Sequence, residues 1–147
     1  MIYLDSAATT FQKPLSVSYA MQRAMRTMSS LGRGGYAAAR AAEETAFRCR
    51  SLAAELFGVP SPEQVVFTSN ATHALNIAIR SLVPEGGRVA VSGYEHNAVT
   101  RPLHALGARI KAAASPLFDR AALLRAFENS ISPELDAVVC THVSNVF

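Results

Sequence analysis

The chain has 147 residues, half of them hydrophobic, and a formal net charge of +3. This is the length of a single globular domain. No apolar run approaches the roughly 18 residues that span a bilayer, and the basic residues are scattered among acidic and apolar ones, so we expect neither a membrane protein nor a nucleic-acid-binding protein.

Two further features of the composition bear on location and chemistry. The chain begins MIYLDSAATT, without a basic segment followed by an apolar core, so no signal peptide is recognised and a cytoplasmic location is expected. Cys49 and Cys140 are too few for a disulfide framework or a metal knuckle, and we predict that both are reduced, buried thiols. Lys13 and Lys111 are the only lysines.

Residues 1–62 are predicted to form an N-terminal arm and two helices. Pro14 suits the first turn of a helix, and apolar residues at helical spacing extend this helix to about Met28. Three glycines within Gly32–Gly35 indicate a loop. A long, Ala-rich helix is then expected over about Tyr36–Phe57, with Gly58 as the residue that ends it.

Residues 63–147 have the pattern of an α/β domain, in which a mostly parallel sheet is covered by helices on both faces. Short apolar runs predicted as strands alternate with amphipathic runs predicted as helices, and this order implies right-handed crossovers. The predicted strands are Val65–Phe67, Arg88–Ser92, Arg109–Ala113 and Asp136–Thr141, and the predicted helices follow Thr72, cover Ala98–Leu106 and follow the cap Asp119.

Ligands bind such sheets at the carboxyl ends of the strands. The loops at these ends, Thr68–Thr72, Gly93–Asn97 and His142–Asn145, are also the segments richest in functional side chains. The first loop enters a helix N-terminus, where free backbone N–H groups and the helix dipole favour an anion, most often a phosphate. The alternative is that Ser69 or Asn70 only caps the helix.

For the residues of the other two loops, too, a purely structural role is the alternative to ligand binding. His96 could be a helix cap or a half-buried imidazole, and Asn145 could cap a turn. On one rim with Thr72, however, these side chains supply a phosphate cradle, a flat aromatic imidazole and an amide. These components suit a phosphorylated aromatic ring, so the sequence predicts a site for such a ligand.

Six short motifs occur in order along nearly the whole chain. They are YLDSAATT at Tyr3–Thr10, KP at Lys13–Pro14, GRGGY at Gly32–Tyr36, VFTSNATHALN at Val66–Asn76, EHNAVTRP at Glu95–Pro102 and THVSNV at Thr141–Val146. In these motifs the chain resembles the cysteine desulfurase and selenocysteine lyase branch of the class V aminotransferases. The resemblance implies a fold-type I enzyme that uses pyridoxal 5′-phosphate, with this chain as the N-terminal portion and part of the large domain.

The resemblance also implies roles for individual residues at the cofactor. Asn70, Ala71 and Thr72 would form the cradle for the cofactor phosphate. His96 would stack on the pyridine ring, as both a cofactor-binding and a catalytic residue. Asn145 would donate a hydrogen bond near the phenolic oxygen of the ring.

On the substrate side, the resemblance implies that Ala7 and Ala8 line the entrance and that Asn145 contacts the amino acid. The implied reaction is a lyase step that cleaves the Cβ–S bond of cysteine, or the Cβ–Se bond of selenocysteine, giving alanine and an enzyme-bound persulfide. The loop Gly32–Tyr36 would border the active site near the interface of a homodimer.

Four groups that the family uses have no match in this chain. In the family, the Schiff-base lysine, the aspartate at the pyridine nitrogen, the arginine for the substrate carboxylate and the sulfur-accepting cysteine all lie beyond the matched region. We therefore expect an N-terminal fragment or a truncated gene product that is inactive alone and binds the cofactor weakly or without a covalent bond. The alternatives are another class V enzyme (an aminotransferase, an epimerase or a kynureninase-like hydrolase) and a non-catalytic fragment that binds phosphate or oligomerises.

Overall fold

The structure is a computed structural model that describes residues 2–4, 6 and 9–144. The predictions for Ala7, Ala8 and Asn145 lie outside the described residues. The chain groups into two compact units, Met1–Phe67 and Thr68–Phe147. The predicted domain division at residue 62 stays a prediction.

The first unit is helical. Helix α1 covers Leu15–Thr27 and helix α2 covers Ala37–Phe57, followed by a single 3₁₀ turn at Pro62–Gln64. Helix α2 ends at Gly58 because this residue has φ 64°, a left-handed conformation in which its N–H reaches back to carbonyl groups of the last turn. Both helices lie within one or two residues of their predicted bounds.

The second unit contains the sheet. Its elements are α3 at Ala71–Leu82, β1 at Arg88–Ser92, α4 at Asn97–Ala105, β2 at Arg109–Ala113, α5 at Arg120–Glu128 and β3 at Ala137–Val139. The strands are all parallel in the order β2-β1-β3, and Val89 in the central strand is in register with Ile110 and Ala137. The predicted α/β class with a parallel sheet is confirmed.

The core of this unit joins α3 and α4 to the central strand. Val89 and Val91 of β1 pack with Ile79 of α3 and with Val99 and Leu103 of α4. Val89 and Leu103 have no exposed surface. Since these side chains fix both helices on the sheet, the N-termini of α3 and α4 are held in a defined position relative to the ends of the strands.

The predicted first strand does not form. The run Val65–Phe67 has no ladder partner among the described residues, and the side chains of Val66 and Phe67 are 73% and 57% exposed. A β-branched, aromatic run favours extended backbone, but a strand also needs a hydrogen-bonded neighbour. The prediction of a four-strand sheet was therefore wrong for the part of the chain that the structure describes.

Two smaller predictions were also wrong. Both cysteines are exposed: Cys140 follows the three-residue edge strand β3, and Cys49 lies on α2, whose buried residues are Ala39 and Ala54. The last strand, predicted over Asp136–Thr141, forms only at Ala137–Val139. Within residues 2–4, 6 and 9–144, the structure contains no helix with the length and apolar character needed to cross a membrane.

Candidate functional site

The N-terminus of α3 combines a side-chain cap with free backbone donors. Asn70 is the N-cap residue, and its Oδ1 accepts a hydrogen bond of 2.8 Å from the N–H of His73. Its carbonyl oxygen accepts from the N–H of Ala74 at 3.1 Å. The N–H groups of Ala71 and Thr72, at the first two helical positions, have no acceptor within the helix. The cap interpretation of Asn70 is thus present in the structure, and two donors remain for an anion.

Neighbouring side chains hold this turn in place. The Thr68 hydroxyl donates to the carbonyl oxygen of Asn70 at 2.9 Å, and Asn76 Nδ2 donates to the carbonyl oxygen of Thr72 at 2.9 Å. The Thr72 side chain is exposed, and neither contact uses its hydroxyl. That hydroxyl is therefore available to a ligand at the helix N-terminus.

His96 is the N-cap residue of α4. Its Nδ1 accepts a hydrogen bond of 3.0 Å from the N–H of Ala98. In the neutral imidazole that makes this bond, the proton is on Nε2. The side chain is exposed, so the cap leaves the ring faces and the Nε2–H group for another partner. The cap interpretation and a stacking role are compatible for this residue.

Thr72 and His96 line the same hollow. It lies between α3 and α4, within the second unit, and has a volume of about 530 Å³, within the usual range for small-molecule sites. The lining residues are Thr72, Asn76, Arg80, His96, Asn97, Ala98, Arg101, Pro102 and Ala105. Two residues predicted from the sequence for different reasons are thus brought together.

The hollow carries positive charge. Arg80 and Arg101 both line it, and no carboxylate does among the described residues. These arginines and Asn76 were not predicted from the sequence. A partial signal exists for Asn76 and Arg80, because residues 72, 76 and 80 recur every four positions on α3 and so share one helix face; none exists for Arg101. An open, cationic hollow beside free helix N–H groups fits a flat ligand with a phosphate group.

A second cluster lies at the carboxyl ends of β1 and β3. The half-buried Glu95 carboxylate accepts hydrogen bonds from the N–H of Thr141 at 2.8 Å and from the Thr141 hydroxyl at 2.9 Å. The buried Ser92 hydroxyl donates to the same carboxylate. Partial burial of the thiol raises the pKa of Cys140 above its ordinary value, and the nearby Glu95 charge raises that pKa further.

The lysine of the second unit, Lys111, makes its hydrogen bond outside the hollow. Lys111 lies on β2, and its Nζ donates to the carbonyl oxygen of Asn129 at 2.6 Å. It is not among the residues that line the hollow. Of the predicted site residues, Asn70, Ala71 and Thr72 are contiguous at the N-terminus of α3 and His96 lies across the hollow, whereas the roles of Ala7, Ala8 and Asn145 stay predictions.

Comparisons with known proteins give a consistent result. The family model described as "Aminotransferase class-V" matches residues 2–147. A probable cysteine desulfurase of Vibrio cholerae is 30% identical over 154 aligned residues, which cover 99% of this chain and 38% of the relative. A probable cysteine desulfurase of Mycolicibacterium paratuberculosis is 31% identical, with 99% of this chain and 22% of the relative covered.

A third relative is the cysteine desulfurase IscS of Tolumonas auensis. It is 31% identical over 157 residues, which cover 98% of this chain and 37% of the relative. The chain therefore spans well under half the length of each of these three proteins.

Proposed function

Because the chain belongs to the class V aminotransferase family, we propose that it supplies the phosphate cradle and the ring-stacking side of the cofactor site in a cysteine desulfurase-like enzyme. The match confirms the resemblance drawn from the six motifs. Pyridoxal 5′-phosphate is the cofactor of the full-length enzymes of this family. When bound, it withdraws electrons from the bonds of the amino-acid substrate.

One observation carries the proposal: Thr72 and His96, at the N-termini of α3 and α4, line one cationic hollow. The N–H groups of Ala71 and Thr72 and the Thr72 hydroxyl bind the cofactor phosphate. Asn70 keeps the turn closed by accepting from His73, so those donors are oriented before the ligand arrives.

His96 packs one face of its imidazole against the pyridine ring. Its cap to Ala98 fixes the ring and its tautomer, which leaves Nε2–H as a donor toward the ligand. Asn145 donates to the phenolic oxygen of the ring and contacts the substrate. Ala7 and Ala8 line the entrance.

The reaction of the whole protein is cleavage of the Cβ–S bond of cysteine, giving alanine and an enzyme-bound persulfide. The printed names of the relatives support cysteine as the substrate, with selenocysteine as the alternative. The large exposed side chains of α1 and α2, such as Leu15, Met25 and Phe57, support a homodimer that covers them. We also propose that the protein is located in the cytoplasm.

The chain alone binds the cofactor without a covalent bond and does not turn over cysteine. The support is chemical: a Schiff base needs a lysine amine at the cofactor aldehyde, and Lys111 is bonded to the carbonyl oxygen of Asn129 instead.

The test is a titration of the full chain with pyridoxal 5′-phosphate, followed by cofactor absorbance, mass spectrometry after borohydride reduction, and an assay for alanine. We expect saturable binding, no stoichiometric lysine adduct and no alanine. Thr72→Val removes a hydrogen bond to a charged group, and we expect it to weaken binding by about 10- to 100-fold. Thr45→Val, on α2, is the matched control, since its hydroxyl bonds only to the carbonyl oxygen of Ala41.

Two results would overturn the proposal. One is the absence of cofactor binding at millimolar concentration. The other is a stoichiometric borohydride-stable lysine adduct accompanied by cysteine turnover.

The same titration separates the alternatives. A non-catalytic phosphate-binding module, which the cationic and open hollow also suits, would bind inorganic phosphate as tightly as pyridoxal 5′-phosphate. Another class V enzyme would, as the full-length protein, release no alanine from cysteine. In both cases Thr72→Val would still weaken binding of the phosphate group.

A further inference from the structure

We propose that Glu95 is a positioning residue of the cofactor site, whose carboxylate ties the end of β1 to the end of β3 and thereby sets where His96 lies relative to the segment after β3. This inference rests on the proposed function. It adds a residue to which neither the motif pattern nor the hollow gives a role.

The contacts of Glu95 span distant parts of the chain. Its Oε1 accepts from the N–H of Thr141 at 2.8 Å and its Oε2 from the hydroxyl of Thr141 at 2.9 Å, across 46 residues of sequence. The buried hydroxyl of Ser92, the last residue of β1, donates to Oε1. One carboxylate therefore receives three donors from the ends of two neighbouring strands.

A carboxylate suits this position because it accepts hydrogen bonds at both oxygens and donates none. Hydrogen bonds to an ionised acceptor are also stronger than neutral ones. With both oxygens bonded to protein donors, the geometry assigns Glu95 to holding the two loops rather than to moving a proton on a substrate.

The link acts on the cofactor site through chain connectivity. Glu95 immediately precedes His96, whose ring caps α4 and lines the hollow. Thr141 follows β3 and leads into the segment that carries the predicted Asn145. Because β1 and β3 are adjacent and parallel, their carboxyl ends lie at the same edge of the sheet. The Glu95 contacts therefore add a side-chain link between these two loops to the short ladder of β1 and β3.

The test compares Glu95→Ala with Glu95→Gln in the full chain. The glutamine carbonyl can accept from the N–H of Thr141, and its amide can donate to the Thr141 hydroxyl, so the link is retained without the charge. Alanine removes it. The control is Glu128→Ala, an exposed glutamate at the end of α5. Binding of pyridoxal 5′-phosphate, its induced circular dichroism, binding of inorganic phosphate, and hydrogen exchange of the Thr141 amide are measured for each variant.

We expect Glu95→Ala to weaken binding of pyridoxal 5′-phosphate by about 10- to 100-fold, the loss typical of removing a group that orients a ligand-binding side chain. Its induced circular dichroism should fall as well, and the Thr141 amide should lose protection. Affinity for inorganic phosphate should stay within about twofold, since the cradle on α3 is untouched. Glu95→Gln should restore all of these readouts, and Glu128→Ala should change none.

This split between the cofactor and inorganic phosphate is not expected from a general loss of structure. If Glu95→Ala does not fold, Thr141→Val provides the second variant: it removes one of the three hydrogen bonds, and we expect weaker binding of the cofactor with unchanged binding of phosphate.

The outcomes separate the two proposals. A wild-type chain that does not bind pyridoxal 5′-phosphate overturns the proposed function and this inference with it. A wild-type chain that binds the cofactor, while Glu95→Ala (or Thr141→Val) binds it equally well, overturns the inference alone. Failure of Glu95→Gln to restore binding also overturns it, because the role would then depend on charge and not on position.

Discussion

The cap of α3 offers a way to separate helix stability from phosphate binding. Asn70→Ala removes the acceptor for the N–H of His73, and losing such a cap costs about 1 kcal/mol of stability. Asn70→Asp keeps the acceptor and adds a negative charge at the positive end of the helix, which stabilises it by roughly 0.3–1 kcal/mol. For a phosphate bound at the same N-terminus, the aspartate charge is repulsive.

The size of the repulsion follows from Coulomb's law. Two unit charges about 4 Å apart repel by ~1 kcal/mol in water and by ~4 kcal/mol at an effective dielectric constant of about 20. Since the site is open to solvent, we take the lower value, which corresponds to a loss of phosphate affinity of about fivefold or more. Asn70→Asp should therefore raise stability and lower affinity at the same time.

Urea unfolding followed by circular dichroism measures stability, and titration calorimetry with inorganic phosphate measures affinity. Asp119→Ala is the matched control: Asp119 caps α5 through the same kind of hydrogen bond, accepting from the N–H of Ala122, three residues on, at 2.8 Å. We expect it to cost a similar stability and to leave phosphate binding unchanged. The reasoning is refuted if Asn70→Asp binds phosphate as well as wild type, or if Asp119→Ala weakens phosphate binding as much as Asn70→Asp does.

Three further predictions concern packing, backbone and titration. Leu103→Ala, at a fully buried position, should destabilise the protein by roughly 2–5 kcal/mol in urea unfolding. Leu82→Ala, at a position 66% exposed, should cost much less. Equal losses of stability would contradict the placement of Leu103 in the core. Gly58→Ala should lower the stability by about 1 kcal/mol, because φ is 64° there. A neutral or stabilising effect would contradict the left-handed conformation of Gly58 at the end of α2. In Glu95→Gln the pKa of Cys140 should fall, because the Glu95 charge, one of the two causes that raise it, is removed. Alkylation of Cys140, followed by peptide mass spectrometry, should then begin at lower pH than in wild type. If alkylation begins at the same pH, the Glu95 charge does not act on Cys140.

Local sequence signals predicted those elements whose determinants are themselves local. Strands β1 and β2 have their predicted bounds because each is a short segment bounded by turn residues. Helix α2 ends where a glycine in the left-handed conformation follows it. The shared position of Thr72 and His96 was predicted as well, but for a reason that does not hold: the strand expected before Thr72 does not form among the described residues, and the two residues meet because α3 packs against α4.

Features that depend on a distant partner were not predicted. The run Val65–Phe67 has strand composition, but composition does not supply a neighbouring strand. Arg80 and Arg101 line the hollow only because α3 packs against α4, and no local pattern encodes that packing. The contact of Glu95 with Thr141 crosses 46 residues, so neither motif reveals it alone.

The exposed side chains of Val66 and Phe67 affect how the protein behaves in solution. They are consecutive apolar side chains that follow the extended residue Val65, in a segment with no ladder partner among the described residues. Short uncharged segments of this kind nucleate intermolecular β-pairing, and the process accelerates with concentration. Storage at high concentration should therefore promote colloidal aggregation, and dilute, freshly purified samples are the appropriate material for every titration described above.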